Sequence, residues 1–164
     1  MASVQELVNH LPQSGTLDWI GRRPARGAAM ESPVEVVLDP KTGIEGDRYQ
    51  RSGGKRQVTL IQAEHLPVIA ALADLPRVDP TQLRRNLVVR GINLLALYKR
   101  RFSIGGEVIL ETTGYCYPCS KMETTLGPGG YQATRGHGGI TARIVRGGII
   151  RIGDPVRALP PEQH

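Results

Sequence analysis

Short apolar runs punctuated by glycine, proline and polar residues recur from residue 16 to residue 159. Runs too short for helices and bounded by turn-forming residues predict strands. Alternation or β-branched density places strands at Thr16–Ile20, Val34–Leu38, Gln57–Ile61 and Leu87–Val89. Further runs follow at Phe102–Ile104, Glu107–Thr113, Ile140–Val145, Ile149–Ile152 and Pro155–Leu159. Helical signals are fewer. Ser3-Val4-Gln5-Glu6 is a capping-box pattern and predicts a short helix to about His10. From Ala63 to Asp74 the period changes, with Leu66, Ile69, Ala70 and Ala73 on one helical face. Pro67 is compatible with that helix only in its first turn. Asp79-Pro80 reads as an N-cap followed by proline at the first helical position, so Pro80–Arg85 is a second candidate helix.

The pattern predicts a mainly β fold with peripheral helices. Ile104-Gly105-Gly106-Glu107-Val108 and Ile152-Gly153-Asp154-Pro155-Val156 share the form I-G-x-x-V. Each reads as strand, tight turn, strand, which suggests two hairpin corners of one barrel. Residues 126–139 (LGPGGYQATRGHGG) are rich in turn residues and are expected to form a mobile loop. The chain divides into an N-terminal helical extension at 1–15, one domain at 16–159 and a fraying tail at 160–164.

Composition narrows the class. At 164 residues and 40% hydrophobic, the chain suits one folded domain and excludes a disordered one. No apolar run reaches the ~18 residues that a membrane helix needs. The N-terminus lacks the basic and apolar regions of a secretory signal, so a cytoplasmic location and no membrane partner are expected. Net charge is +6, and four of the 21 basic residues are lysine. Arginine is a planar fork that grips phosphate or carboxylate with paired bonds. The excess therefore reads either as anion recognition or as surface composition. A basic nucleic-acid module is permitted by charge, but aromatics make up only 4% of the chain, which leaves few stacking platforms.

The two cysteines, Cys116 and Cys119, lie in Tyr115-Cys116-Tyr117-Pro118-Cys119-Ser120-Lys121. Four readings stay open: a zinc site completed by His65 and His137, a thioredoxin-like redox pair, two inert buried thiols, or a nucleophilic or metal-binding thiolate. Pro118 suits Cys119 to the start of a helical turn, an environment that favours a thiolate. Cys116 would then be a candidate resolving thiol. Three basic clusters flank predicted strands: Gly21-Arg22-Arg23-Pro24, Gly46-Asp47-Arg48 and Leu83-Arg84-Arg85-Asn86. Asp47 is a candidate to hold Arg48 in place. A closed barrel could bring all three clusters to one mouth beside Cys119.

In this order the segments GIEGDRY (43–49), RQVTLIQAEH (56–65), LRRNLVVRGINL (83–94), FSIGGEVILE (102–111), YPCSKME (117–123) and GGIIRIGDPV (147–156) resemble the MOSC domain family. This is the C-terminal domain of molybdenum-cofactor sulfurases, and the resemblance is to its small stand-alone bacterial form. The resemblance implies a MOSC-type β-barrel with one functional cysteine, which maps to Cys119. It implies molybdenum ligation by that thiolate, or a persulfide carried on it. Arg48, Arg84 and Asn86 match the family's anion-binding positions, and Arg22 or Arg23 match more weakly. Molybdenum cofactor (molybdopterin) is the implied cofactor, with reduction of N-hydroxylated compounds or sulfur transfer as the implied activity. Implied partners are the phosphorylated pterin or a sulfur-donor protein, and a reductase partner for a reducing member. The alternative is a non-catalytic basic module, binding nucleic acid or scaffolding a reductase. Pyridoxal phosphate belongs to a separate domain of the long sulfurases, so no local site is expected. Arg85 stands where amidoxime-reducing relatives commonly have proline.

Overall fold

The computed structural model describes residues 1–12 and 14–161. Ten strands appear among them: β1 (Gly15–Ile20), β2 (Glu35–Asp39), β3 (Gly43–Ile44), β4 (Val58–Gln62), β5 (Leu87–Arg90), β6 (Arg101–Ile104), β7 (Val108–Tyr115), β8 (Ile140–Arg146), β9 (Gly148–Arg151) and β10 (Pro155–Ala158). Five α-helices accompany them: α1 (Val4–Asn9), α2 (His65–Leu72), α3 (Pro80–Leu83), α4 (Ser120–Leu126) and α5 (Gly130–Thr134). Seven strands close a barrel in the order β1-β10-β6-β7-β8-β4-β5, and β3-β2-β9 form a small separate sheet. The fold is mainly β with peripheral helices, as the hydrophobic pattern predicts. No helix among the described residues is long and apolar enough to cross a membrane.

Local chemistry explains the helix starts. Ser3 caps α1 in a reciprocal capping box with Glu6, and Asp79 caps α3 in another with Gln82. Pro80 occupies the first turn, where its missing N–H costs nothing. Arg84 ends α3 in the left-handed region at φ 55°, so this helix stops short of the expected Arg85.

Two apolar layers share β4 and β5. Val58, Leu60, Leu87 and Val89 face the barrel interior with Phe102 and Leu110. Ile61 and Val88 face outward and pack under the helices with Ile69, Leu83, Met122 and Leu126. This accounts for a β4 that is buried on both faces instead of alternating. β4 and β5 run parallel, joined through α2 and α3, whereas every other barrel pairing is antiparallel.

Two expectations need correction. The first I-G-x-x-V segment does turn a barrel hairpin, with Ile104 paired to Val108. The second does not: β9 pairs with β2 in the small sheet, while β10 joins the barrel beside β1 and β6. Asp154 shapes that crossing by accepting the Arg151 N–H at 2.8 Å. Residues 126–139 hold an ordered helix in place of a mobile loop. The Glu123 carboxylate accepts the backbone N–H groups of Gly129 (2.9 Å) and Tyr131 (3.1 Å), which starts α5. Gly130 packs directly against α4, where a Cβ would lie 2.4 Å from the Met122 carbonyl oxygen. Glycine is there for close approach, not for mobility. Of the expected fraying tail, residues 162–164 lie outside the described residues.

The Glu123 cap carries a pH dependence. The N–H bonds from Gly129, then from Tyr131, hold its carboxyl below the ordinary value of 4.5. A carboxylate depressed by folding contributes above its unfolded value, and that contribution is lost as pH falls through the folded value. Amide-exchange protection at Gly129 and Tyr131 should therefore fall as pH drops from about 4.5. Glu123→Gln should show the lower protection already at pH 7. Equal protection in both proteins at pH 7 would exclude the cap as the source of order.

Candidate functional site

Strand register brings distant segments to one end of the barrel. Tyr115 pairs with Ile140, Ile140 with Leu60, Leu60 with Leu87, and Leu87 with Ile20. These residues form one row across β7, β8, β4, β5 and β1. The segments that leave or enter the barrel at this level are Cys116–Cys119 after β7, Gly138-Gly139 before β8, Arg84–Asn86 before β5 and Gly21–Arg23 after β1. The cysteines and two of the basic clusters therefore share one mouth. Asp47 of the third reaches it through Arg23 and Asn86.

The two thiols differ. Cys116 is 4% exposed, and its N–H donates to the Gly139 carbonyl at 2.8 Å. Cys119 is exposed and occupies the N-cap of α4 in extended geometry, as Pro118 predicts. Arg56 Nη2 lies 3.9 Å from Cys116 Sγ. A cleft of about 360 Å³ opens on Cys116, lined by Leu95, Tyr115, Tyr117, Pro118 and Arg135 among others. Tyr117 meets Tyr115 edge-on at 6.4 Å along this wall, and Tyr98 stacks on Tyr115 at 4.8 Å beside it.

Asp47 is the hub of the mouth. It is 1% exposed and accepts the Arg23 N–H at 2.7 Å, the Arg23 guanidinium at 3.1 Å, the Tyr49 N–H at 3.2 Å and the Asn86 amide at 3.3 Å. It holds Arg23, not the neighbouring Arg48 as expected. Asn86 is fully buried. Its Oδ1 accepts the Thr59 N–H and hydroxyl, and its Nδ2 donates to the Gly21 carbonyl and to Asp47. Every amide valence is spent inside the protein, which gives Asn86 a scaffolding position.

The remaining expected anion-binding residues are placed as follows. Arg22 pairs with Glu31 at 3.0 Å and reaches the Glu45 carbonyl at 3.4 Å. Arg84 donates to the Ala28 carbonyl at 2.8 Å. Arg48 is exposed, and its backbone N–H donates to the Arg23 carbonyl at 2.7 Å. Its guanidinium makes no hydrogen bond among the described residues. No hydrogen bond or ion pair among the described residues links Arg48, Arg84 or Asn86 to Cys119.

Arg85 is the residue that sequence reasoning passed over. It is 8% exposed, and its guanidinium donates to the Gly138 carbonyl at 2.9 Å and the Leu83 carbonyl at 2.7 Å. Burial pulls its pKa below the ordinary 12.5. Cys116 and Cys119 oppose that shift, while Arg56 and Arg23 add to it. No carboxylate pairs with it among the described residues. Leu83 and Arg85 turn inward while Arg84, at the left-handed end of α3, stays half-exposed. His65 and His137 do meet, with ring centroids 5.4 Å apart, and burial holds His65 below 6.5. No group of three or more His, Cys, Asp or Glu residues suited to a metal ion occurs among the described residues.

Comparison with known proteins bears on the fold and the family. The MOSC domain model matches residues 47–157. The structure of the YuaD protein from Bacillus subtilis aligns with a TM-score of 0.79 at 18% identity, covering 93% of this chain and 100% of that one. YiiM from Escherichia coli aligns at 0.69 and 20% identity, covering 93% and 73% of the two chains. YiiM from Geobacillus stearothermophilus aligns at 0.66 and 14% identity, covering 88% and 75%. No curated protein matches the chain. At these identities the structures testify to the fold, and the family model testifies to descent. A match to the MOSC domain model over more than half of the chain makes this protein a member of the MOSC domain family.

Proposed function

We propose that this protein uses Cys119 either to ligate the molybdenum of a bound molybdenum cofactor or to carry sulfur as a persulfide. The functional unit is residues 16–159. One observation carries the reading: an exposed thiol stands at the same barrel mouth as a cluster of guanidiniums. A thiolate is the soft ligand and the sulfur nucleophile that these two roles require. The residues present fit the cofactor. Cys119 supplies one soft donor, and cationic forks suit a pterin phosphate.

In the cofactor role, the unpaired guanidinium of Arg48 would take the phosphate. Arg84 and Arg22 would add donors while keeping their bonds to Ala28 and Glu31. Arg23 and Asn86 act through Asp47, which fixes the shape of the mouth. When bound, molybdenum supplies the redox chemistry. The chain supplies a thiolate, an anion clamp and the aromatic wall of Tyr115 and Tyr117 beside the cleft. In the sulfur-carrying role, Cys119 cycles between thiol and persulfide, and its exposure suits exchange with a donor protein. A reductase partner belongs to the cofactor role alone.

Metal analysis and mass spectrometry of protein from a cofactor-producing host separate the two. Stoichiometric molybdenum that vanishes in Cys119→Ser supports ligation. An adduct of about +32 Da on Cys119 without molybdenum supports sulfur carrying. Neither signal under anaerobic handling would remove both roles.

A further inference from the structure

The barrel mouth holds a buried cation without a counter-ion. Arg85 spends Nε and Nη1 on the Gly138 and Leu83 carbonyls, and its Nη2 makes no hydrogen bond among the described residues. A Cβ on Gly138 would lie 2.2 Å from the Cys116 carbonyl oxygen and 3.4 Å from Arg85 Nη2. The Arg85 guanidinium and the Cys116 backbone carbonyl therefore flank a residue that must lack a side chain. Arg56 Nη2 adds a second guanidinium 3.9 Å from Cys116 Sγ. Neither Arg56 nor Arg85 has a carboxylate partner among the described residues. A desolvated charge is costly until an opposite charge meets it. Paired guanidinium forks match a tetrahedral oxyanion. The cleft that opens on Cys116 is lined by Leu95, Tyr115, Tyr117, Pro118 and Arg135 among others, and Arg56 and Arg85 stand outside that lining. A ligand for this place has an anionic head and an atom that attracts a thiol.

We propose that Arg56 and Arg85 seat the sulfonate head of a thiosulfonate-class sulfur donor, with thiosulfate the simplest member, and that Cys116 is the first sulfur acceptor. This rests on the sulfur-carrying half of the function proposed above and is independent of molybdenum. The Cys116 thiolate attacks the donor's outer sulfur. A Cys116–sulfur bond forms, the donor's sulfur–sulfur bond breaks, and sulfite leaves with its electron pair. The product is a Cys116 persulfide, and no outside oxidant or reductant is consumed. Cys119 remains the exposed carrier, three positions further along the chain.

The test incubates the reduced full chain with thiosulfate without oxygen, and follows sulfite release and adduct mass. Wild type should release stoichiometric sulfite and gain about +32 Da. In Cys119→Ser the adduct should sit on Cys116, and Cys116→Ser should release none. Arg56 is exposed, so Arg56→Met tests the seat without disturbing the core. It should raise the half-saturating thiosulfate concentration about tenfold. Arg85→Met, where its melting temperature is retained, should raise it at least as far. Sulfate should compete with thiosulfate. Inorganic phosphate competing about tenfold better than sulfate would assign the seat to a phosphate head and overturn the donor. So would absence of sulfite, sulfite release that survives Cys116→Ser, or an unchanged Arg56→Met. A persulfide found on Cys119 as isolated, with no sulfite from thiosulfate, would overturn this donor alone and leave Cys119 as a carrier.

Discussion

Asn86→Ala should unfold the protein at a much lower temperature than wild type. The side chain is fully buried and links three segments. Its removal leaves the Thr59 N–H, the Gly21 carbonyl and one interaction of Asp47 without their partners. Each buried polar group stranded in this way costs about 1–3 kcal/mol. Partial relaxation and water entry reduce the sum, so a net loss of about 4 kcal/mol is expected, a large part of a typical 5–15. For a domain of this size that is a fall of about 8–16 °C in melting temperature. Asn86→Asp is the sharper companion. It keeps the shape but places a carboxylate oxygen where Nδ2 now lies 3.3 Å from Asp47. Its stability should recover as pH falls and one of the two carboxyls is protonated. If Asn86→Ala melts within about 3 °C of wild type, the residue is no scaffold. Its match to the family's anion-binding position would then be the better account.

Gly139→Ala should be worse still. Gly139 has φ +91°, and a Cβ there would lie 1.9 Å from the Leu60 carbonyl oxygen and 2.9 Å from its carbon. No rotamer relieves a clash with backbone, so β4 must separate from the start of β8 or the turn must move. Either shift disturbs the Leu60–Ile140 pairing and the bond from the Cys116 N–H to the Gly139 carbonyl. Left-handed strain contributes about 1–2 kcal/mol. The collision brings the total to about 5 kcal/mol, in the range where many domains no longer fold. Gly129 provides the control. Its φ is +90°, but nothing lies within 4 Å of its Cβ position. Gly129→Ala should lose only about 1–2 kcal/mol. Denaturant melts of the two variants separate space from backbone conformation. Similar midpoints would show that the contact with Leu60 does not matter.

The strands and capped helices were legible because their signals are local. Period-two alternation marks β2 and β6, and the capping boxes at Ser3 and Asp79 depend on residues three apart. The N-cap position of Cys119 also followed from its neighbour, Pro118. What could not be read was set by contacts between distant segments. Asp47 chooses Arg23, 24 positions away, over the adjacent Arg48. Arg84 and Arg85 are chemically identical. Only the left-handed turn at Arg84 and the register of β5 decide which one faces inward. α5 is masked in the sequence by glycines whose purpose, close packing on α4, exists only once α4 is present. The two-residue β3 has no period at all and forms because Leu38 and Asp39 of β2 offer it partners.

The closure of the barrel sets an order of assembly. β1 lies between β5 and β10, and Gly15 pairs with Val156, 141 positions later. During synthesis β1 emerges first among the barrel strands, and the strand that covers its second edge emerges last. An unpaired edge is a template for pairing with other chains. Until β10 emerges the barrel has one seam open, so the last barrel strand in the chain is also the one that protects the protein from its own neighbours.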